Sequence, residues 1–212
     1  MKMKGIYKLA VILASAALLL PAKASAQSPI LENSFVSVGA GINATVLHPL
    51  SPKTWGNIGL ATDINVGKWW NPYIGTRLGF HGGWNNCKQE LNKETIPANT
   101  PFGFNYMHVD VLASFTDGVI GPDEDRIWNV AFYLNTGALK VSYSRSFFSK
   151  GAYAWGFGAG MLNEFKVTPE VSIIADLQAI AANPSAFAEN GGRLVIFPTA
   201  TVGISFNLGD IF

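Results

Sequence analysis

Phe197-Pro198-Thr199-Ala200-Thr201-Val202-Gly203-Ile204-Ser205-Phe206-Asn207-Leu208-Gly209-Asp210-Ile211-Phe212 is the stretch whose reading decides the fold. From Ala200 it divides into two faces: Ala200, Val202, Ile204, Phe206 and Leu208 on one, Thr201, Gly203, Ser205 and Asn207 on the other. Side chains alternate across a strand, so one face is apolar and the other small and polar. The spacing predicts a strand that runs to an aromatic terminus, Phe212, in phase with the apolar face. A soluble domain gains nothing from such an end. A membrane barrel does: its apolar face meets lipid, its polar face meets the lumen, and its last strand pairs with its first.

Seven earlier segments repeat the pattern. They cover about 34–45, 57–68, 72–84, 104–116, 127–140, 153–165 and 171–180. In the first, Val36, Val38, Ala40 and Ile42 oppose Ser37, Gly39, Gly41 and Asn43; in the sixth, Tyr153, Trp155, Phe157, Ala159 and Met161 oppose Ala154, Gly156, Gly158 and Gly160. Leu112, on the inward phase of the fourth segment, fits poorly. Trp69-Trp70-Asn71-Pro72-Tyr73 reads as a tight turn, because Asn-Pro is turn chemistry. Trp69, Trp70 and Tyr73 suit the level where lipid meets water.

Eight such strands make an all-β, antiparallel, up-and-down transmembrane barrel. With the amino terminus in the periplasm, the turns after strands two, four and six are periplasmic, and two of them are short. The longer loops, 46–56, 85–103, 141–152 and 182–193, then face outward, as in outer-membrane barrels. A lipocalin-type soluble barrel also alternates, but it turns its apolar face inward and charges the other. Here the second face is glycine, serine and asparagine, a poor soluble exterior.

Composition agrees. Charged residues are 14% of the chain while hydrophobic ones are 49%, against roughly 25% charged in soluble proteins. No basic patch suggests nucleic acid as a partner. Residues 1–26 read as a secretory signal peptide: Lys2, Lys4 and Lys8, an apolar run from Leu9 to Leu20, and Ala24-Ser25-Ala26 before the cut. Residues 27–212 then form the barrel domain. No later apolar run reaches the ~20 residues of a spanning helix. Cys87, the single cysteine, lies in a polar loop and has no internal partner.

The signal peptide, the eight alternating segments, the Trp-Asn-Pro-Tyr turn and the terminal Phe212 together resemble the OmpA/OmpX-type small outer-membrane barrels. The resemblance covers nearly the whole mature chain and is to the barrel alone, without a peptidoglycan-binding domain. It implies recognition of Phe206 and Phe212 by the barrel-assembly machinery, and a setting of outer-membrane lipid and lipopolysaccharide in a Gram-negative bacterium.

Inward positions hold Asp63, Arg77, His81, His108, Asp110 and Asp176. An eight-stranded barrel is just wide enough for side chains to fill it, so these charges must pair. Arg77 is expected to pair with Asp110 or Asp63, with Asp176 in reach across the lumen. Such a network is a structural plug or, on the alternative reading, a gate. A third reading is a lipid-modifying enzyme, which needs a nucleophile beside a histidine. His108, Asp110 and Ser114 share one face, but they are spread along a single strand. The expectation is therefore no enzyme, no cofactor and no metal. The role is structural or surface-interacting through the outer loops and an unidentified ligand, with a narrow porin as the alternative.

Overall fold

The computed structural model describes residues 31–46, 55–86, 101–123, 125–142, 151–183 and 194–211. The signal peptide, most of the four long loops, Cys87 and Phe212 lie outside the described residues.

Eight strands close into one antiparallel barrel in sequence order: β1 (Ser34–Val46), β2 (Trp55–Trp69), β3 (Ile74–Asn86), β4 (Pro101–Ser114), β5 (Trp128–Ser142), β6 (Ala152–Lys166), β7 (Val171–Ala182) and β8 (Val195–Asn207). The closing seam pairs β1 with β8, from Phe35 opposite Asn207 to Asn43 opposite Thr199, and resumes at Val46 opposite Ile196. The skipped positions face Phe197 and Pro198. Proline has no N–H to give the ladder, which accounts for the gap.

The alternation sorts the two walls. Outward positions carry exposed apolar side chains on every strand, among them Leu60, Leu78, Val109, Leu134, Trp155, Leu177 and Val202. Inward positions are buried: Ser37, Asn65, Arg77, Asp110, Asn135, Asp176 and Thr201. A continuous apolar belt of this extent is no water-facing surface. It is the lipid-facing wall of a transmembrane barrel, and a closed strand ladder is one of the two ways a chain can satisfy its backbone in hydrocarbon.

Local chemistry sets the short-turn end. Asn71 Oδ1 accepts from the backbone N–H of Tyr73 (2.8 Å) and Ile74 (2.9 Å), the side-chain-to-backbone geometry that lets Asn nucleate a turn. Pro72 therefore belongs to the turn, and β3 starts at Ile74, later than the sequence suggested. Between β6 and β7, Thr168 Oγ1 accepts from Val171 N–H at 3.1 Å. Between β4 and β5 the chain forms a short helix, α1 (Phe115–Ile120), so Phe115 and Thr116 leave the strand in which alternation placed them. Ser114 caps it, accepting from Asp117 N–H at 3.2 Å.

β8 also ends earlier than its pattern. Leu208–Ile211 form a second helical turn, α2, so Leu208 does not continue the apolar face. The neighbours explain it: β1 and β7 both start opposite Asn207 and Phe206, and no strand remains to pair with residues beyond. Asn207 closes the edge instead, its N–H to Glu170 O and its Nδ2 to Pro169 O, both 2.9 Å.

Candidate functional site

The lumen is filled in three levels. At the long-loop end Phe102, Phe104 and Tyr106 of β4, Leu139 and Val141 of β5, Ile180 and Ala182 of β7, and Val195 and Phe197 of β8 form a buried apolar plug. Phe104 and Phe197 meet at 4.6 Å between ring centres, and Phe102 lies parallel to Phe197 at 6.4 Å. Phe102, Phe104 and Tyr106 share the parity of His108 and Asp110, so continuing the alternation of β4 toward Pro101 finds them. Reading 85–103 and 141–152 as loops hides Phe102 and Val141.

A polar belt lies below. Arg77 and Asp110 are direct cross-strand partners, and the Arg77 guanidinium donates to Asp110 through Nε and to Asp176 Oδ2 through Nη1 at 2.9 Å. Its plane covers the Tyr133 ring at 4.5 Å, and the Tyr133 hydroxyl donates to the other oxygen of Asp176 at 2.5 Å. Asp110 also accepts from His108 Nδ1. Asp63 is not among the partners of Arg77. It bonds His81 Nδ1, its direct partner across β2 and β3, while His81 Nε2 faces Thr199 Oγ1 at 3.2 Å. Asp63 and His81 lie equidistant from Pro72, so the tight turn fixes their pairing.

All six expected lumen residues are thus buried, in two clusters: Arg77 with Asp110, Asp176 and His108, and Asp63 with His81. Sequence reasoning missed Tyr133, Tyr106 and Thr199 as their partners. The signal for the tyrosines was the alternating glycines of β6. A side chain at Gly160 would stand 2.2 Å from Tyr133 Cζ, and one at Gly156 would stand 2.8 Å from Tyr106 Cε2. The glycines clear the wall against which both rings lie. Tyr106 then reaches Asn135 Oδ1 (2.9 Å) and Gly156 O (3.2 Å).

The third level is a smaller apolar plug of Leu112, Ala131, Tyr133, Leu162 and Ile174 at the short-turn end. Leu112, the misfit of the sequence pattern, is its centre and wholly buried. Trp69 packs on this plug from the inward phase of β2, so it lines the inner rim rather than the lipid boundary expected for it. Trp70 and Tyr73 are exposed at the same end, with Trp70 Nε1 donating to Thr76 Oγ1 at 2.9 Å. Beneath the plug an open mouth of about 680 Å³ is edged by Glu32, Asp117, Glu164 and Lys166.

Ser114 turns away from His108 and donates to Asp117 Oδ2 at 2.9 Å, so His108, Asp110 and Ser114 do not converge. Among the described residues no trio of His, Cys, Asp or Glu side chains is placed to hold a metal ion. Phe206 is partly exposed on the outward phase of β8, opposite Val36 and Val171.

No protein-family model matches the chain, and no curated protein sequence matches it either. Solved structures do. Neisserial surface protein A (NspA) superposes with a TM-score of 0.57 at 13% identity, covering 83% of this chain and 97% of that one. A major outer membrane protein from Thermus thermophilus aligns more loosely, with a TM-score of 0.48 at 13% identity over 82% and 98% of the two chains. The attachment invasion locus protein Ail of Yersinia pestis gives 0.47 at 13% identity over 82% and 98%. At such identities the likeness to NspA speaks for the fold, a small eight-stranded membrane barrel.

Proposed function

We propose that this protein is an integral outer-membrane barrel of a Gram-negative bacterium, exported with a signal peptide cleaved after Ala26. Its role is structural or surface-interacting, carried by the four long loops. The barrel is a rigid, side-chain-filled mount, and it does not act as an enzyme. The observation that carries this reading is the filled lumen: the Phe104–Phe197 level and the Leu112 level are both buried and apolar, with a fully paired arginine between them. A barrel packed like a core leaves its loops as the surface for recognition. Its surroundings would be outer-membrane lipid and lipopolysaccharide, and its assembly would use the barrel-assembly machinery through Phe206 and Phe212.

Reconstitution into planar bilayers tests this. The expected result is no steady conductance from protein that shifts on a gel between unboiled and boiled samples. Steady single-channel currents would favour the narrow porin instead. One feature supports that second reading: His108 Nε2, Asn135 Nδ2 and Gln178 Nε2 are buried without a partner among the described residues, and such groups call for water. Lipid A mass spectra from cells with and without the protein address enzymatic action, and unchanged spectra are expected.

A further inference from the structure

We infer that the connection between β4 and β5 is an interfacial foot, seated in the zwitterionic phospholipid leaflet on the short-turn side of the membrane. The other two connections at this end are tight turns. This one uses a helix, Phe115–Ile120, and a further return to β5 at Trp128, where a turn would suffice. Large apolar side chains are exposed on it: Phe115 and Val119, one helical turn apart, Ile120 at the end of the helix and Ile127 on the return, the last three 68%, 73% and 70% exposed.

That patch continues the lipid-facing wall. Phe115 sets its edge on the outward Phe132 of β5 at 5.6 Å, and Trp128 stacks on Phe165 of β6 at 6.1 Å. Other residues of the same segment hold it to the barrel. Thr116 is buried, with its hydroxyl bonded to Asn129 Oδ1 at 2.9 Å. Arg126 bridges Asp117 Oδ1 and Gly121 O, each at 2.5 Å, and so pins the return to the helix. Gly121, with φ of 96°, makes the bend. A rigid element with its polar side toward the mouth and its apolar side toward lipid is the geometry of a helix lying in the interface. Asp123 and Asp125 beside it disfavour an anionic surface, which selects a zwitterionic leaflet. Four apolar side chains on this connection would fix the height of the barrel on its β4–β5 side.

The test uses the refolded full barrel with Cys87→Ser, carrying Val119→Cys, Ile120→Cys, Ile127→Cys or the mouth-side Asp123→Cys, each labelled with bimane in phosphatidylcholine vesicles. Lipid brominated high on its acyl chains should remove about half the emission at the first three sites and little at Asp123→Cys. Aqueous iodide should show the reverse order. All four samples must keep their heat-dependent gel shift, and having three independent apolar sites guards against the loss of one variant. Iodide quenching at 119, 120 and 127 equal to that at 123, with no effect of bromolipid, would leave the foot in water and overturn the inference. Shielding from both quenchers would seat these side chains against the barrel itself or a second copy of it and overturn it equally.

Discussion

Leu134 and Asn135 are neighbours on β5, yet they obey different rules. Leu134 is 70% exposed on the outer wall and touches solvent hydrocarbon; Asn135 is buried, with the Tyr106 hydroxyl on its Oδ1 and no room at Gly158 for a side chain against it. The outer wall asks only for apolar character, because a fluid surrounds it. The inner wall asks for particular atoms in particular places, because it is a packed interior a few side chains wide. One strand therefore carries a tolerant code on one side and an exacting code on the other.

The difference is open to measurement by urea unfolding of the barrel in lipid vesicles, followed by gel shift and tryptophan emission. Arg77→Met should cost most, about 3–5 kcal/mol, because it strands the buried Asp110 and Asp176 carboxylates without their cation. Leu134→Arg on the outer wall should cost about 2–4 kcal/mol, since a charge then meets hydrocarbon near mid-strand. Gly160→Ala should cost about 1–3 kcal/mol, the overpacking penalty of a methyl 2.2 Å from Tyr133 Cζ and 2.6 Å from Leu177 O. Leu134→Ile should fall within about 0.5 kcal/mol, as an apolar exchange on a surface without fixed neighbours. If Gly160→Ala proved as mild as Leu134→Ile, the contrast between the walls would disappear.

The same contrast explains what the sequence could reveal. The eight strands were legible because a period of two is local and the outer wall repeats it, as at Leu60, Val109, Val202 and Ile204. The six lumen residues were legible as inward for the same reason. Their partners were not, because pairing depends on register, and among their ion pairs only Asp63 with His81 straddles a short turn, that at 70–73. It joins Asp63 to His81, leaving Arg77 to Asp110 and to Asp176 from across the lumen. The aromatic plug was missed because Phe102, Phe104 and Phe197 are apolar residues inside a wall expected to be polar. Helix α1 was missed because six residues with a glycine among them carry little helical period; its trace was Ser114 placed three before Asp117, a capping pattern.

The orientation of the two walls is tested most directly along β8. Nitroxide labels placed singly at residues 200–206 of the vesicle-reconstituted barrel report collisions with oxygen, which concentrates in lipid, and with a water-soluble nickel chelate. The account predicts an oscillation of period two, with high oxygen access at Val202 and Ile204 and low access to both reagents at Thr201 and Ser205, following their exposure. Nickel access at Thr201 and Ser205 together with occlusion of Val202 and Ile204 from oxygen would contradict it, because the apolar face would then be the interior.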